Sequence, residues 1–150
     1  MGMQIVESIT NDRISGKPGV LAIEKRLGGE LPADYLDFLV KWNGGRPEPS
    51  VFAFQEMGRT TNSEVQCFFG VCDDRNYGLR RNLDIYEGRI PTGYCPIACD
   101  PLGNLLLLGV VGSSRGAVYF WDHERETGEP TMANMSKVAN CFTEFLSILK

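Results

Sequence analysis

Between Cys95 and Trp121 the chain holds three apolar runs, Pro96–Cys99, Leu105–Val111 and Ala117–Trp121, separated by two five-residue segments of turn-forming composition. The separators, Asp100-Pro101-Leu102-Gly103-Asn104 and Gly112-Ser113-Ser114-Arg115-Gly116, combine proline, glycine and short polar side chains that bond their own backbone. Connections this short join antiparallel neighbours, because a parallel crossover needs a dozen or more residues. The pattern predicts a three-stranded meander at the centre of a sheet.

Helical periodicity brackets that meander. In PGVLAIEKRL, residues 18–27, Val20, Ile23 and Leu27 fall on one stripe, with Pro18 suited to the first turn and Gly28-Gly29 to the stop. Pro32 opens a second helix with Asp34 in its first turn; Tyr35, Phe38, Leu39 and Trp42 recur at i, i+3, i+4 and i+7, and Asn43-Gly44-Gly45 ends it. Val51–Phe54 and Val65–Val71 read as strands, with Arg46–Ser50 as a turn before them and the polar stretch Glu56–Glu64 as a surface loop between them. Asp73–Asn76 offers capping side chains to a third helix carrying Leu79, Leu83 and Tyr86, and Asn140 caps a last one carrying Phe142, Phe145, Leu146 and Leu149. Helices at both ends with strands in series between them indicate an α+β fold, a mainly antiparallel sheet flanked by about four helices. At 150 residues the expectation is one domain, 1–150, with its core at about 18–149.

Composition excludes several functions. The net charge is −4, spread over both halves: eight basic against eleven acidic side chains in the first 75 residues, seven against eight in the last 75. This is not the footprint of a protein that binds nucleic acid directly. No uninterrupted apolar run, not Leu105–Leu108 nor the slightly longer Ala117–Trp121, comes near the roughly 18 residues that cross a bilayer, so no membrane association and a cytoplasmic location are expected. Met1-Gly2 suggests acylation, but Val6 stands where that motif needs Ser or Thr.

Five cysteines, an odd number without a secretion signal, read as reduced and mostly buried. A zinc site from Cys67, Cys72, Cys95 and Cys99 with His123 fails on spacing, since Cys95 and Cys99 in a strand stand about 13 Å apart. No metal or other cofactor is expected. Gly109–Gly116 lacks the Gly-Lys-Ser/Thr ending of a phosphate loop and leads into a strand, and no serine sits in a G-x-S-x-G elbow. No catalytic residue is assigned. Arg80 and Asp84 are spaced to pair on the third helix. The segment that invites a partner is Trp121-Asp122-His123-Glu124-Arg125-Glu126, where an indole, a histidine and several charges follow an apolar strand. The bland alternative there is a solvated strand end with His123 held by a carboxylate. From Asp122 to Glu129 four acids oppose one arginine, which would steer a basic partner.

The order of motifs carries one further expectation. Leu31-Pro32-Ala33-Asp34-Tyr35-Leu36-Asp37-Phe38-Leu39 ending in Asn43-Gly44-Gly45 resembles the N-terminal signature of the SUKH superfamily, the proteins similar to the yeast cell-wall assembly regulator. Arg89-Ile90-Pro91, Pro96–Asp100 with Gly103-Asn104, Val118–Glu124, and Val138-Ala139-Asn140 with Phe142 and Glu144-Phe145-Leu146 resemble its later landmarks in the same order. The resemblance implies an α+β fold with a central, curved, mainly antiparallel sheet, and a non-enzymatic role. Bacterial members are similar to immunity proteins that neutralise a polymorphic toxin domain, often a nuclease; eukaryotic members resemble regulatory interaction modules. By position, Leu31, Pro32, Tyr35, Phe38 and Leu39 are scaffold, whereas Asp100, Asn104, Trp121, Asp122, His123 and Glu124 are the expected exposed contributors to a partner face. Cys141 departs from the pattern, standing where a small polar residue such as serine is expected. Three readings follow: an immunity protein bound to a toxin domain, a regulatory module with another protein partner, and a small-ligand binder or enzyme with a pocket near His123.

Overall fold

The structure is a computed structural model that describes residues 2–11 and 18–150. Met1, where the rejected acylation motif begins, lies outside the described residues. Their elements run β1 (Gln4–Glu7), α1 (Pro18–Leu27), α2 (Ala33–Lys41), β2 (Arg46–Glu48), β3 (Val51–Glu56), β4 (Arg59–Glu64), β5 (Cys67–Phe68), α3 (Leu79–Ile85), β6 (Tyr94–Cys99), β7 (Leu105–Gly109), β8 (Val118–Trp121), β9 (Met135–Ala139) and α4 (Phe142–Ile148). β5 to β9 form one antiparallel sheet in sequence order, so the expected meander β6-β7-β8 occupies its centre. This is the α+β architecture the pattern predicts.

Register explains how the sheet is buried. Phe68, Ala98, Leu106 and Phe120 are successive cross-strand partners and share one face. That face meets an aromatic cluster: Phe38 of α2 lies 4.8 Å from Phe68, Phe142 of α4 lies 5.1 Å from both Phe38 and Tyr35, and Phe54 of β3 lies 4.6 Å from Phe120, ring centre to ring centre. The row Cys67, Cys99, Leu105, Trp121 occupies the opposite face. There Tyr86, the residue that ends α3, packs edge-on against Trp121 at 5.7 Å. With both faces covered, all of β7 is buried, which is why its sequence is an unbroken leucine run without alternation.

Several local expectations are corrected. Most of the polar stretch Glu56–Glu64 is strand β4, paired residue for residue with β3 from Val51↔Glu64 to Glu56↔Arg59. Met57 and Gly58 make the turn with φ of 52° and 81°, the two positive values a two-residue type I′ hairpin requires. Of Arg46–Ser50, three residues are β2, which pairs with β1. Gly45 precedes it at φ 116°, where a Cβ would lie 2.7 Å from the Glu7 carbonyl oxygen, so the strand pair closes only over glycine. Only Cys67–Phe68 of the predicted strand 65–71 forms a ladder, and β9 had no strand signal. Asp74 caps the turn before α3 by accepting from the Asn76 and Tyr77 amides, while the α3 N-cap is Gly78. Asp84 pairs with Arg26 of α1, not with Arg80. Cys141, not Asn140, caps α4: its Sγ accepts from the Glu144 amide at 3.4 Å.

Candidate functional site

Two loops at one end of the sheet carry the residues singled out from the sequence, and a buried carboxylate joins them. Asp100 ends the β6 run, and the chain must reverse within five residues to start β7. Its side chain is the centre of that turn: Oδ1 accepts from the amides of Leu102 at 2.9 Å and Asn104 at 2.8 Å. Oδ2 accepts from Asn104 Nδ2 at 2.9 Å and from the Ser63 hydroxyl of β4 at 3.0 Å. Asn104 passes the connection on, its Oδ1 accepting from the His123 amide at 3.0 Å. Asp100 is 6% exposed and Asn104 8% exposed. A buried carboxylate needs such a shell of donors to offset its lost hydration.

The second loop leaves β8 at Trp121 and makes one 3₁₀ turn at His123–Arg125. Asp122 caps it, with Oδ1 accepting from the Glu124 amide at 3.0 Å and Oδ2 from Arg125 Nε at 3.2 Å. Arg125 then spans to the β3–β4 hairpin, where Nη2 reaches Glu56 at 3.4 Å and Nη1 reaches Met57 Sδ at 3.8 Å. Asn134 is buried and donates its side-chain amide to the Asp122 carbonyl at 2.8 Å, which holds this loop in place. The His123 ring lies over Gly103, close enough that a Cβ there would come within 3.3 Å of Nε2. No carboxylate among the described residues holds the imidazole.

Trp121 is corrected most sharply. The sequence reading made it an exposed contributor to a partner face; it is fully buried. The cause is the two-sided cover of the sheet: Tyr86 packs on the indole, and Arg89 lies 4.7 Å above the Tyr86 ring and 5.7 Å from the indole while bridging to Glu126 at 2.7 and 3.1 Å. Asp100 and Asn104, also expected to be exposed, are internal supports. Asp122 and His123 are half-buried, and Glu124 is exposed. The six residues thus share one region in two layers, with only the last three reaching solvent.

The acidic rim is partly neutralised from within. Asp122 and Glu56 share Arg125, and Glu126 takes Arg89. Glu124 and Glu129 have no cationic partner among the described residues. Beside the rim, the sequence reading missed two exposed side chains, Met57 at 83% and Leu102 at 76% exposure. Both sit at hairpin tips, Met57 at a positive-φ turn position that favours Asn or Gly, which is the signal that could have marked it.

No disulfide joins the five cysteines, two of which are buried and three half-buried. Burial pushes the thiols of Cys67 and Cys95 up to about 12 and that of Cys99 to about 11, the last helped by the Asp100 carboxylate. They are protonated at neutral pH and unsuited to nucleophilic work. No group of three or more His, Cys, Asp or Glu among the described residues is arranged to hold a metal ion. A cleft of about 350 Å³ lies beside Gly103, lined by Phe69, Asn82, Tyr86 and Cys99, but His123 is not part of its wall. No helix among the described residues is long and apolar enough to cross a membrane.

Residues 19–148 match the model of the SMI1 / KNR4 family (SUKH-1). The chain is also 28% identical over 139 residues to the SPbeta prophage-derived uncharacterized protein YokK of Bacillus subtilis (strain 168), a match covering 83% of this chain and 69% of that protein.

Proposed function

Because this chain belongs to the SMI1 / KNR4 family (SUKH-1), we propose that it is a non-enzymatic immunity protein that binds a cognate toxin domain and neutralises it by occlusion. The observation that carries the reading is the rim Asp122–Glu129, where a loop tied down by Asp122, Asn134 and Arg125 holds out two acidic side chains, Glu124 and Glu129, with no cation among the described residues to answer them. A loop held in place loses little entropy on docking, and free carboxylates steer a basic partner and penalise an acidic one. If the toxin is a nuclease, these carboxylates take the place of substrate phosphates, and affinity falls as salt rises. The prophage origin of the relative in Bacillus subtilis supports the same reading.

The test is co-expression with candidate toxin domains taken from the genes that flank this one, scoring growth rescue and co-purification together. Glu124→Lys and Glu129→Lys weaken the complex and steepen its loss with salt while the far-UV CD spectrum stays unchanged. Undiminished affinity in both variants removes the rim from the mechanism. Failure of rescue and of co-purification, with both proteins folded, overturns the immunity reading in favour of a regulatory module.

A further inference from the structure

The outer edge of β4 is open. β4 pairs with β3 alone, and no other described strand lies alongside it. The Val65 amide bonds the Ser50 carbonyl at 2.8 Å, and antiparallel ladders alternate, so the bonded positions of β4 are Ser63 and Thr61, with Arg59 at the turn. The N–H and C=O groups of Thr60, Asn62 and Glu64 therefore point away from β3. On the far side of β3, Val51 exchanges bonds with Lys150 at 2.8 and 3.1 Å, as the same alternation requires. An edge of this kind is usually blunted by proline, lysine or a bulge. β4 has none of these, and its register with β3 is unbroken.

We propose that this edge is the pairing surface for a second copy of the chain, two β4 strands running antiparallel about a two-fold axis. Two features fit that occupant. The strand begins with Arg59 and ends with Glu64, neither in an ion pair among the described residues; Glu56 stands opposite Arg59 across the hairpin but pairs with Arg125, and antiparallel pairing lays the basic end of each copy against the acidic end of the other. The same pairing carries the hairpin tip of one copy to the Glu64 end of its mate. At that end lies a groove of about 440 Å³, whose apolar wall is Val51, Pro101 and Leu102 and whose polar wall is Asn62, Ser63 and Glu64 of β4 itself. The tip residue is Met57, the most exposed large hydrophobic side chain described, and Leu102 is the next. Each Met57 enters the other copy's groove, so one isologous contact covers both residues twice. The inference does not depend on the immunity reading.

The test is the mass of the purified full chain in solution from micromolar to near-millimolar concentration, by light scattering and sedimentation, with hydrogen exchange on the same samples. A concentration-dependent dimer is expected, in which the amides of Thr60, Asn62 and Glu64 gain protection. Met57→Asn removes the knob yet suits the turn, since Asn-Gly is the preferred type I′ pair; dimerisation weakens at least about tenfold with no loss of thermal stability. Arg59→Glu and Glu64→Arg each weaken the dimer, and the two together restore it. A monomer at every concentration overturns the proposal. So does a dimer indifferent to Met57→Asn and to both charge reversals, which would place the contact on another face.

Discussion

Asp100 offers a test in which one side chain's hydrogen-bond polarity is read out as stability. Replacing it by alanine removes the acceptor of four bonds. Ser63 is half-exposed and recovers a partner from water, but the Asn104 amide and side chain lie in the interior. Leaving a buried donor unmet costs about 1–3 kcal/mol, and the bonds lost are charge-assisted, so Asp100→Ala should cost about 3 kcal/mol. For a chain of 150 residues that is a fall in Tm of roughly 6–12 °C. Asp100→Asn keeps the oxygen that serves the Leu102 and Asn104 amides but sets one NH2 group against another, the Asn104 Nδ2 now 2.9 Å from Asp100 Oδ2. The cost should be about 1–2 kcal/mol. Turning the Asn104 amide over relieves the clash only by taking its oxygen from the His123 amide. The double variant Asp100→Asn with Asn104→Asp reverses the polarity of the contact: the amide at position 100 donates to a carboxylate at position 104, which still accepts from His123. Most of the loss should return. Denaturant titration followed by tryptophan fluorescence, to which the buried Trp121 two residues before His123 contributes, measures all three variants. A double variant no more stable than Asp100→Asn alone would falsify the donor assignment on which the account of the turn depends.

Two further perturbations test other parts of the fold. Cys141→Ser puts a stronger acceptor at the α4 N-cap in place of a sulfur 3.4 Å from the Glu144 amide; the denaturation midpoint should rise with a gain of about 0.5–1 kcal/mol, and an unchanged or lower midpoint counts against the cap. Cys67, Cys95 and Cys99 titrate near 11 to 12 when folded. Unfolded, they release protons from about pH 8.5, so these thiols leave stability untouched below that pH and lower it as pH rises from there toward the folded values. The fully buried Cys95 should account for about 2 kcal/mol of that loss by pH 10; denaturation midpoints measured from pH 8 to pH 10 should fall less steeply in Cys95→Ala, and parallel slopes would refute the assignment.

What the chain made legible followed how each element is stabilised. α1, α2, α4 and the meander bury their own apolar residues, so their periodicity is written in those residues. β4 buries nothing fully: Arg59–Glu64 is polar throughout and forms because the Met57-Gly58 turn lays it against β3. Its pattern is that of a loop, and Met-Gly is not the pair that announces a type I′ turn. β9 is similarly mixed, and β2 contains Pro47, tolerated because the pairing is a short two-stranded one. In each case the partner strand, not the segment's own composition, decides the conformation.

The candidate region was singled out by its chemistry and misread by depth. Trp121 beside charged residues suggests a surface aromatic only if one sheet face is open, and whether α3 and Tyr86 cover that face is a tertiary fact no local window holds. Asp100, Asn104 and Asp122 are strong polar residues whose capacity is consumed by the loops they brace, which leaves little of them for any docking partner. What they leave at the surface is a fixed backbone carrying Glu124, Glu129 and the edge of His123. Charge changes at the two glutamates therefore cost the fold almost nothing, whereas changes at the supports alter the loop positions and stability together. On the immunity reading this division lets recognition be retuned for a new toxin through a few exposed positions while the Asp100 network keeps them in place. A variant of Asp100 that lost binding while stability and the His123 backbone stayed intact would contradict that division, because it would make the buried carboxylate a contact and not a support.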